Sequence, residues 1–321
     1  MQTEIFVTVD FTEEQRRLLE QAAQGAAFHY IQPKELTEEY LGMADIIVGN
    51  PAPDSLKYAK KLKLLQLMSA GTNGYTKEVI PQGCTFACAT GTYGLAISEY
   101  MLACVLQMYN HLDAYQENQK TGMWNREGFA KSIYGSTALI VGLGDLGGEF
   151  ARRMKALGSY TIGVRRADLT KPDYLDEIHL NEDLDDLLPR ADILALSLPA
   201  TPQTYHIIDE RRLSLMKDDA ALVNVVRGTA IDTDALVKTL ESGKLLGAAL
   251  DVTDPEPLPP EHPLWKTRGA HITPHISGGG TLPETKNRLA RHCAANIRAF
   301  LEGKPLKSVV DPETGYRKLD R

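Results

Sequence analysis

The stretch "TALIVGLGDLGGEFARRMKALG", residues 137–158, is the clearest indication of the fold of this chain. It begins as a short apolar run, which is typical of a buried strand, and continues as an amphipathic helix. Gly142, Gly144 and Gly147 stand between the two in G-x-G-x-x-G spacing. The first glycine permits a tight turn, the second lets a pyrophosphate approach the backbone, and the third lets helix and strand pack closely. The stretch therefore predicts a dinucleotide-binding βα unit, with a glycine-rich turn that binds no ligand as the alternative.

Strand-like and helical patterns alternate along most of the chain, which favours βα units, parallel sheets and the α/β class. The series around the glycine motif starts at about residue 135, so the chain has room for a separate α/β domain before it. A long helical pattern over residues 95–119 precedes this second series, and another helical pattern follows it. We predict a discontinuous substrate or catalytic domain, 1–95 plus 283–321, and a dinucleotide-binding domain, 96–282.

Composition narrows the classes of function. The 321 residues carry a net charge of −7, so a domain-wide affinity for nucleic acid or an anionic membrane is not expected. The N-terminal residues lack the pattern of a signal peptide, and no run of about 18 apolar residues exists. The four cysteines have no metal-ligand spacing, so we expect neither a metal site nor a disulfide. We predict a cytoplasmic protein that binds no nucleic acid, no membrane and no metal.

Two arginines, Arg165 and Arg166, end the next strand-like run, "YTIGVRR". In the dinucleotide fingerprint, an acidic residue about 20 positions on accepts hydrogen bonds from the adenosine ribose. An arginine accepts no hydrogen bond, but its planar fork can bind a 2′-phosphate. The pair therefore favours NADP(H) as the cofactor, with NAD(H) as the second choice. Two solvated surface arginines are the alternative interpretation.

Ionisable residues follow three later strand-like runs. Arg227 follows "ALVNVV", Asp251 and then Glu256 follow "LLGAAL", and His275 follows "AHITP". In a doubly wound sheet, ligands bind outside the carboxyl ends of the strands. Arginine can grip a carboxylate, histidine can transfer a proton near neutrality, and a carboxylate can orient the imidazole. These residue types suit the reduction of a 2-keto acid. Taken singly, Arg227 could be a surface ion-pair partner, Glu256 a solvated loop acid and His275 a capping or packing histidine.

With these motifs the sequence resembles the D-isomer-specific 2-hydroxyacid dehydrogenases over nearly its whole length. The motifs that carry the resemblance are "SAGTNG" (69–74), "VGLGDLGG" (141–148), "NVVRGTAID" (224–232), "LDVTDPEPLP" (250–259) and "TPHISG" (273–278). The resemblance implies two Rossmann-like domains, one flavodoxin-like and one dinucleotide-binding, with a cleft between them. It also implies a catalytic set of Arg227, Glu256 and His275.

The resemblance extends to the binding residues. It implies that the backbone of Ala70 and Gly71, together with Arg227, holds the substrate carboxylate, and that Asp251 meets the nicotinamide carboxamide. From the glycine motif, the arginine pair and the resemblance, we expect these cofactor-binding residues: Gly142, Gly144, Asp145, Leu146, Gly147, Arg165, Arg166, Pro199, Thr204, Val226, Asp251, Ser277 and Gly278. The resemblance also implies a homodimer, formed through the nucleotide domain and its long helix.

Two departures from the family pattern stand out. The family often has an acid–histidine pair in the long helix, where this chain has Glu99 and Tyr100, and many members have Asp where Arg165 stands.

We predict an oxidoreductase that uses NADPH to reduce small 2-keto acids, such as glyoxylate, hydroxypyruvate or a longer-chain acid, to D-2-hydroxy acids. The alternatives are a non-enzymatic, dinucleotide-sensing protein of the corepressor type and an oxidoreductase resembling phosphite dehydrogenase. The short tails of the chain favour an enzyme.

Overall fold

The computed structural model describes residues 2–72, 74–278 and 282–313. Its backbone contacts divide the chain into two compact units, Met1–Tyr93 with Gly280–Arg321, and Gly94–Gly279. Each unit has one sheet, of five and seven strands, and every pairing between the strands is parallel. The predicted α/β class is therefore confirmed.

The sheets and helices are labelled in chain order. The strands are β1 (Glu4–Val7), β2 (Ala27–Tyr30), β3 (Ile46–Val48), β4 (Leu64–Gln66), β5 (Thr85–Ala87), β6 (Thr137–Val141), β7 (Tyr160–Arg165), β8 (Glu177–Leu180), β9 (Ile193–Leu196), β10 (Ala220–Asn224), β11 (Leu245–Leu250) and β12 (Ala270–Ile272). The helices are α1 (Glu13–Ala22), α2 (Glu38–Met43), α3 (Gly94–Tyr109), α4 (Leu112–Thr121), α5 (Asp145–Ala156), α6 (Leu184–Leu187), α7 (Glu210–Leu215), α8 (Thr233–Glu241) and α9 (Pro283–Leu301). Within the described ranges, none of these helices combines the length and apolarity that crossing a membrane requires.

The first unit has the strand order β2-β1-β3-β4-β5, which is that of flavodoxin-like folds. Its central strands β3 and β4 are fully buried, and all of their residues except Gln66 are apolar, because helices cover both faces of the sheet. One face packs against α1 and α9, where Cys293 and Ile297 join Ile5 and Val7 in one core cluster. The last helix therefore belongs to the core of this unit, although nearly the whole chain separates it from β1.

The second unit has the strand order β12-β11-β10-β9-β6-β7-β8. In this doubly wound arrangement the chain runs outward from β6 in one direction and then from β9 in the other. The boundary between β6 and β9 is the topological switch point, where the carboxyl ends of the strands leave a crevice for a ligand. The glycine motif follows β6 directly, so the fold places it at this point.

The structure differs from the sequence expectations in three elements. The helical pattern over 95–119 is two helices, α3 and α4, because His111 takes a left-handed backbone conformation with φ of 52°. The strands β2 and β8 carry no apolar run, and all of their residues are half-buried. Both lie at the edges of their sheets, where one side faces solvent and the apolar signal is weak.

Candidate active site and dinucleotide site

Three neighbouring strands of the second unit lead into Arg227 and His275, which were predicted to be catalytic, and Asp251, which was predicted to bind the cofactor. The last residues of β10, β11 and β12 pair with one another across the sheet. Arg227 lies three positions after β10, Asp251 directly after β11, and His275 three positions after β12. Because the strands are parallel and aligned, these side chains belong to the same edge of the sheet.

Glu256 and His275 form the central pair of the site. Oε1 of Glu256 lies 2.7 Å from Nδ1 of His275, and both side chains are about half exposed. His275 has a positive φ of 52°, and its backbone N–H donates to the carbonyl of Asp251 at 2.9 Å. A left-handed histidine is uncommon and needs support from its surroundings. Since Nδ1 faces the carboxylate, Nε2 is the ring nitrogen that can exchange a proton with a substrate.

Arg227 stands at the start of a tight turn, and a buried asparagine shapes that turn. The side chain of Asn224 donates to the carbonyl of Arg227 at 2.9 Å and accepts from the N–H of Val226 at 3.2 Å. Nη1 of Arg227 donates to the Val226 carbonyl, and the side chain is half-buried. A Cβ on Gly228 would lie 1.9 Å from the carbonyl carbon of Thr253, so only glycine fits this crossing of two loops.

Asp251 uses its carboxylate to hold the loop that carries His275. Its Oδ1 accepts from the Thr273 hydroxyl at 2.6 Å and from the Ile276 N–H at 2.8 Å. Its Oδ2 accepts from the N–H of Ser277 at 2.9 Å. Asp251 is buried, so these bonds replace the water that a charged group would otherwise need. The expected contact of Asp251 with the nicotinamide carboxamide stays a prediction, as do those of Ser277 and Gly278.

The glycine turn fits a pyrophosphate. A Cβ on Gly147 would lie 2.0 Å from the Gly142 carbonyl oxygen, and Gly142 has a φ of 99°. At Gly144, by contrast, a Cβ would meet no atom within 4 Å. Gly144 is also the N-cap of α5 and has no side chain to accept from the first amides of the helix. Open space beside an uncapped helix N-terminus is the arrangement that binds phosphates.

The next two residues of the motif have side chains with structural contacts. The carboxylate of Asp145 accepts a hydrogen bond from the N–H of Gly94 at 2.8 Å, at the start of α3. The Leu146 side chain packs against the main core of the second unit. The expected cofactor contacts of Asp145 and Leu146 therefore reside in their backbone amides, in the first turn of α5.

Arg165 ends β7 and is engaged by a nearby acid. Its Nη1 donates to the Asp168 carboxylate at 3.0 Å and to the Asp168 carbonyl at 3.1 Å. Asp168 has a positive φ of 68°, and its Oδ1 accepts from the N–H of Thr170. Arg166 follows with an exposed side chain. Asp168 is therefore the ion-pair partner of Arg165.

The loop after β9 brings Pro199 and Thr204 together. The Thr204 hydroxyl donates to the Pro199 carbonyl at 2.8 Å and accepts from the N–H of Thr201, also at 2.8 Å. These bonds close the loop at the switch point, beside the glycine turn. At the start of the same loop, the hydroxyl of Ser197 donates to the carbonyl of Gly142.

Ala70 and Gly71 lie in the first unit, in the loop after β4. Asn50 holds this loop: its side-chain oxygen accepts from the N–H of Met68 at 2.8 Å, and its side-chain nitrogen donates to the Ser69 hydroxyl at 3.0 Å. The Ser69 hydroxyl in turn donates to the Gly71 carbonyl at 2.7 Å. Ala70 is exposed and Gly71 half-buried. The loop therefore has a defined conformation, which backbone recognition of a carboxylate requires.

The structure adds residues that the sequence did not single out. Asn224, Gly228 and Thr273 shape the loops of the catalytic residues, and Asn50 shapes the loop of Ala70. The motifs contained all of them except Asn50, but nothing in a motif says which side chain holds which backbone.

The four cysteines are free thiols. Among the described residues, no group of three or more His, Cys, Asp or Glu side chains could hold a metal ion.

Comparison with known proteins assigns the family. Residues 102–277 match the family model described as "D-isomer specific 2-hydroxyacid dehydrogenase, NAD binding domain". The chain therefore belongs to the D-isomer specific 2-hydroxyacid dehydrogenases, as the motifs predicted, and it is an oxidoreductase with a site for a nicotinamide dinucleotide.

Individual relatives agree with this assignment. The chain is 33% identical to a glyoxylate reductase of Thermofilum pendens over 264 residues, which are 79% of this chain and 76% of that protein. A D-isomer specific 2-hydroxyacid dehydrogenase family protein from Aeromonas salmonicida superposes with a TM-score of 0.85 at 29% identity, over 97% of this chain and 100% of the other. An NADPH-dependent glyoxylate/hydroxypyruvate reductase from Sinorhizobium meliloti, solved with NADP and sulfate, gives 0.82 at 27% identity, over 98% and 100%.

Proposed function

We propose that this protein is an NADPH-dependent reductase that converts small 2-keto acids to D-2-hydroxy acids. The single observation that carries the proposal is the 2.7 Å hydrogen bond between Glu256 and His275, at the carboxyl edge of a sheet that also presents the glycine turn. The similarity to proteins named glyoxylate reductase and glyoxylate/hydroxypyruvate reductase supports a small keto acid as the substrate.

His275 is the proposed proton donor. Glu256 fixes the imidazole through Nδ1, so Nε2 can deliver a proton to the oxygen of the substrate carbonyl. When bound, the reduced dinucleotide supplies the hydride that the keto carbon takes up. In the reverse direction, His275 accepts the hydroxyl proton of the 2-hydroxy acid.

Arg227 and the loop of Ala70 and Gly71 are the proposed anchors of the substrate carboxylate. The guanidinium can grip a carboxylate through two parallel N–H donors, and it can polarise the adjacent carbonyl. Asn224 and Gly228 hold the turn of Arg227, so the side chain starts from a fixed backbone. In this proposal, the bonds that Asn50 and Ser69 make keep the backbone of Ala70 and Gly71 in a conformation that can bind a carboxylate.

Arg165 and Arg166 are the proposed determinants of NADPH preference. Asp168 engages Nη1 of Arg165, which restrains the guanidinium while its other N–H groups remain as donors in the fork. A 2′-phosphate carries more charge than a ribose hydroxyl, so two adjacent arginines distinguish the two cofactors. The remaining proposed cofactor contacts are those of the glycine turn, the loop of Pro199 and Thr204, Val226, Asp251, Ser277 and Gly278.

Steady-state kinetics with NADPH and NADH against a panel of 2-keto acids test the reaction class and the cofactor together. Turnover of glyoxylate, hydroxypyruvate or a longer-chain acid, faster with NADPH, is the expected result. The absence of turnover with every acid would overturn the reductase, and a preference for NADH would overturn only the cofactor assignment. The double variant Arg165→Asp, Arg166→Ala should raise the KM for NADPH selectively; an unchanged ratio of NADPH to NADH use would refute the phosphate role.

We further propose that the protein forms a homodimer through α4 and the segment that follows it. This segment exposes several large apolar side chains, among which Trp124 and Phe129 are fully exposed. Beside Trp124 lies a groove of about 590 Å³, lined by Tyr115, Asn118 and Met123 among others. A projecting side chain and a groove on one face suit the self-complementary contact of a twofold dimer, and exposed apolar patches mark such interfaces.

A further inference from the structure

A line of hydrogen bonds runs from α3 to the loop of His275. The hydroxyl of Tyr100 lies 2.6 Å from the hydroxyl of Thr273, and the Thr273 hydroxyl donates to Oδ1 of Asp251 at 2.6 Å. The same carboxylate accepts the N–H groups of Ile276 and Ser277, which flank His275 on its C-terminal side.

The direction of each hydrogen bond follows from the number of protons that each hydroxyl can donate. A threonine hydroxyl has one proton, and here Thr273 gives it to Asp251, so Tyr100 must be the donor to Thr273. Burial raises the pKa of Tyr100 above its ordinary value, so the phenol keeps the proton that it donates. Each donation increases the polarity of the next hydroxyl, because linked hydrogen bonds in a buried site strengthen one another.

We propose that Tyr100 is a positioning residue for His275, acting through Thr273 and Asp251. The Asp251 side chain accepts from two amides and one hydroxyl, while its carbonyl accepts from the N–H of His275. The loop with the left-handed histidine is therefore held from both sides by one residue, and Tyr100 with Thr273 orients that residue from the helix. The proposal rests on the proposed role of His275. It also gives a function to Tyr100, which stands where the family often has a histidine.

Isosteric variants separate this role from simple packing. Tyr100→Phe and Thr273→Val each remove one hydroxyl and keep the shape, whereas Thr273→Ser keeps the hydroxyl. We expect the first two to lower kcat roughly 3- to 10-fold, less than the roughly 100-fold that a misplacement of about 1 Å can cause. The KM for the keto acid should change less than about twofold, because the substrate carboxylate is held by other loops. Thr273→Ser, which keeps the hydroxyl, should have a kcat close to that of the unmodified protein.

The double variant Tyr100→Phe, Thr273→Val tests whether the residues act in one line. In a single line, the second substitution has nothing left to remove, so the double variant should match the stronger single variant within about twofold. Tyr109→Phe is the matched control: it removes a buried hydroxyl from the same helix, where the bond is to the carbonyl of Asp192 at 3.5 Å. Multiplying effects in the double variant, or an equal loss of kcat in Tyr109→Phe, would overturn the proposal.

Amide hydrogen exchange supplies a readout that needs no turnover. The N–H groups of Ile276 and Ser277 should exchange faster in Tyr100→Phe than in the unmodified protein, and at an unchanged rate in Tyr109→Phe. Unchanged protection of both amides in Tyr100→Phe and Thr273→Val would show that the line does not hold the loop. If the unmodified protein reduces no keto acid, the proposed function fails, but the exchange experiment still decides the positioning role.

Discussion

His275 combines a left-handed backbone with an imidazole whose Nδ1 lies 2.7 Å from Oε1 of Glu256. The sequence suggested the pair because a carboxylate and a histidine follow neighbouring strands. The φ of 52° and the hydrogen bonds that hold it could not be predicted from the sequence. The N–H groups that bond to Asp251 lie 24 to 26 positions after it along the chain. A backbone held in a sparsely populated region, beside a paired imidazole, is consistent with a site in which the orientation of one side chain matters.

Replacing His275 should slow the chemical step. We expect His275→Gln to lower kcat about 100-fold or more, because general acid–base catalysis contributes about 10²- to 10⁴-fold. The KM for the keto acid should stay within about threefold, since the carboxylate anchors are unchanged. The control is His179→Gln, which removes the histidine of a second Glu–His pair, with a distance of 2.8 Å to Glu177. Steady-state kinetics in both directions check the expectation, and equal kcat in the two variants would contradict it.

The turn between β6 and α5 shows what an element requires of single positions. Glycine is required at two positions of this turn for different reasons, although both positions are simply G in the motif. At Gly147 a Cβ would meet backbone at 2.0 Å, whereas at Gly144 it would meet open space. The first is therefore a packing requirement and the second, in our proposal, a ligand requirement.

Alanine at these two positions should give different results. Gly147→Ala forces the helix away from the turn and should lower the free energy of unfolding by about 1–3 kcal/mol or more, as overpacking does. Gly144→Ala should leave the midpoint of thermal unfolding nearly unchanged, since its Cβ meets no atom within 4 Å. It should nevertheless weaken NADPH binding, measured by fluorescence titration, because the methyl group occupies the proposed phosphate space. Unaltered NADPH affinity in Gly144→Ala would argue against a pyrophosphate at this turn.

The edge strand β8 carries a charged cluster with a predictable response to acid. The Arg190 guanidinium bonds both oxygens of Glu177 and, with His179 and Tyr160, holds the pKa of that carboxylate at about 2. A lowered pKa in the folded state stabilises the protein above the ordinary value of 4.5, and this contribution disappears as the pH falls towards 2.

Glu177→Gln should therefore destabilise the protein near neutral pH, by no more than about 1 kcal/mol because the cluster is partly solvated. The difference in unfolding free energy between the variant and the unmodified protein should shrink between pH 4.5 and about 2. Urea denaturation at a series of pH values measures it. A difference that stays constant over this range would mean that the ion pair does not carry the effect.

The whole molecule has two α/β units, and the second exposes an apolar segment that its own core does not cover. Trp124 and Phe129 are fully exposed and lie five positions apart, whereas large apolar side chains of the sheets and helices pack in the core clusters of both units. A single exposed apolar residue needs no explanation, but several together on one segment indicate a contact.

Charged substitutions on this segment should change the oligomeric state. We expect the unmodified protein to elute as a dimer, and Trp124→Glu with Phe129→Glu to shift it to the monomer, because a buried unpaired carboxylate is costly. Light scattering after size exclusion gives the mass of each form. The control is Trp265→Glu, which places the same charge at the other tryptophan, half exposed and remote in sequence. A monomeric unmodified protein would contradict the dimer.

The fold class, the glycine turn and the residue types of the candidate site could all be predicted from the sequence. This was possible because strand and helix periodicity, turn glycines and the order of motifs are local properties of the chain. Three features could be seen only in the folded chain: the predicted long helix breaks at His111, Asp168 pairs with Arg165, and the Asp251 carboxylate accepts hydrogen bonds from the loop of His275. The bond between Tyr100 and Thr273 spans 173 positions of sequence, and no local pattern encodes such a contact. It exists because α3 and β12 are brought together by the packing of the second unit, and hydrogen bonds form between whichever groups the packing makes neighbours.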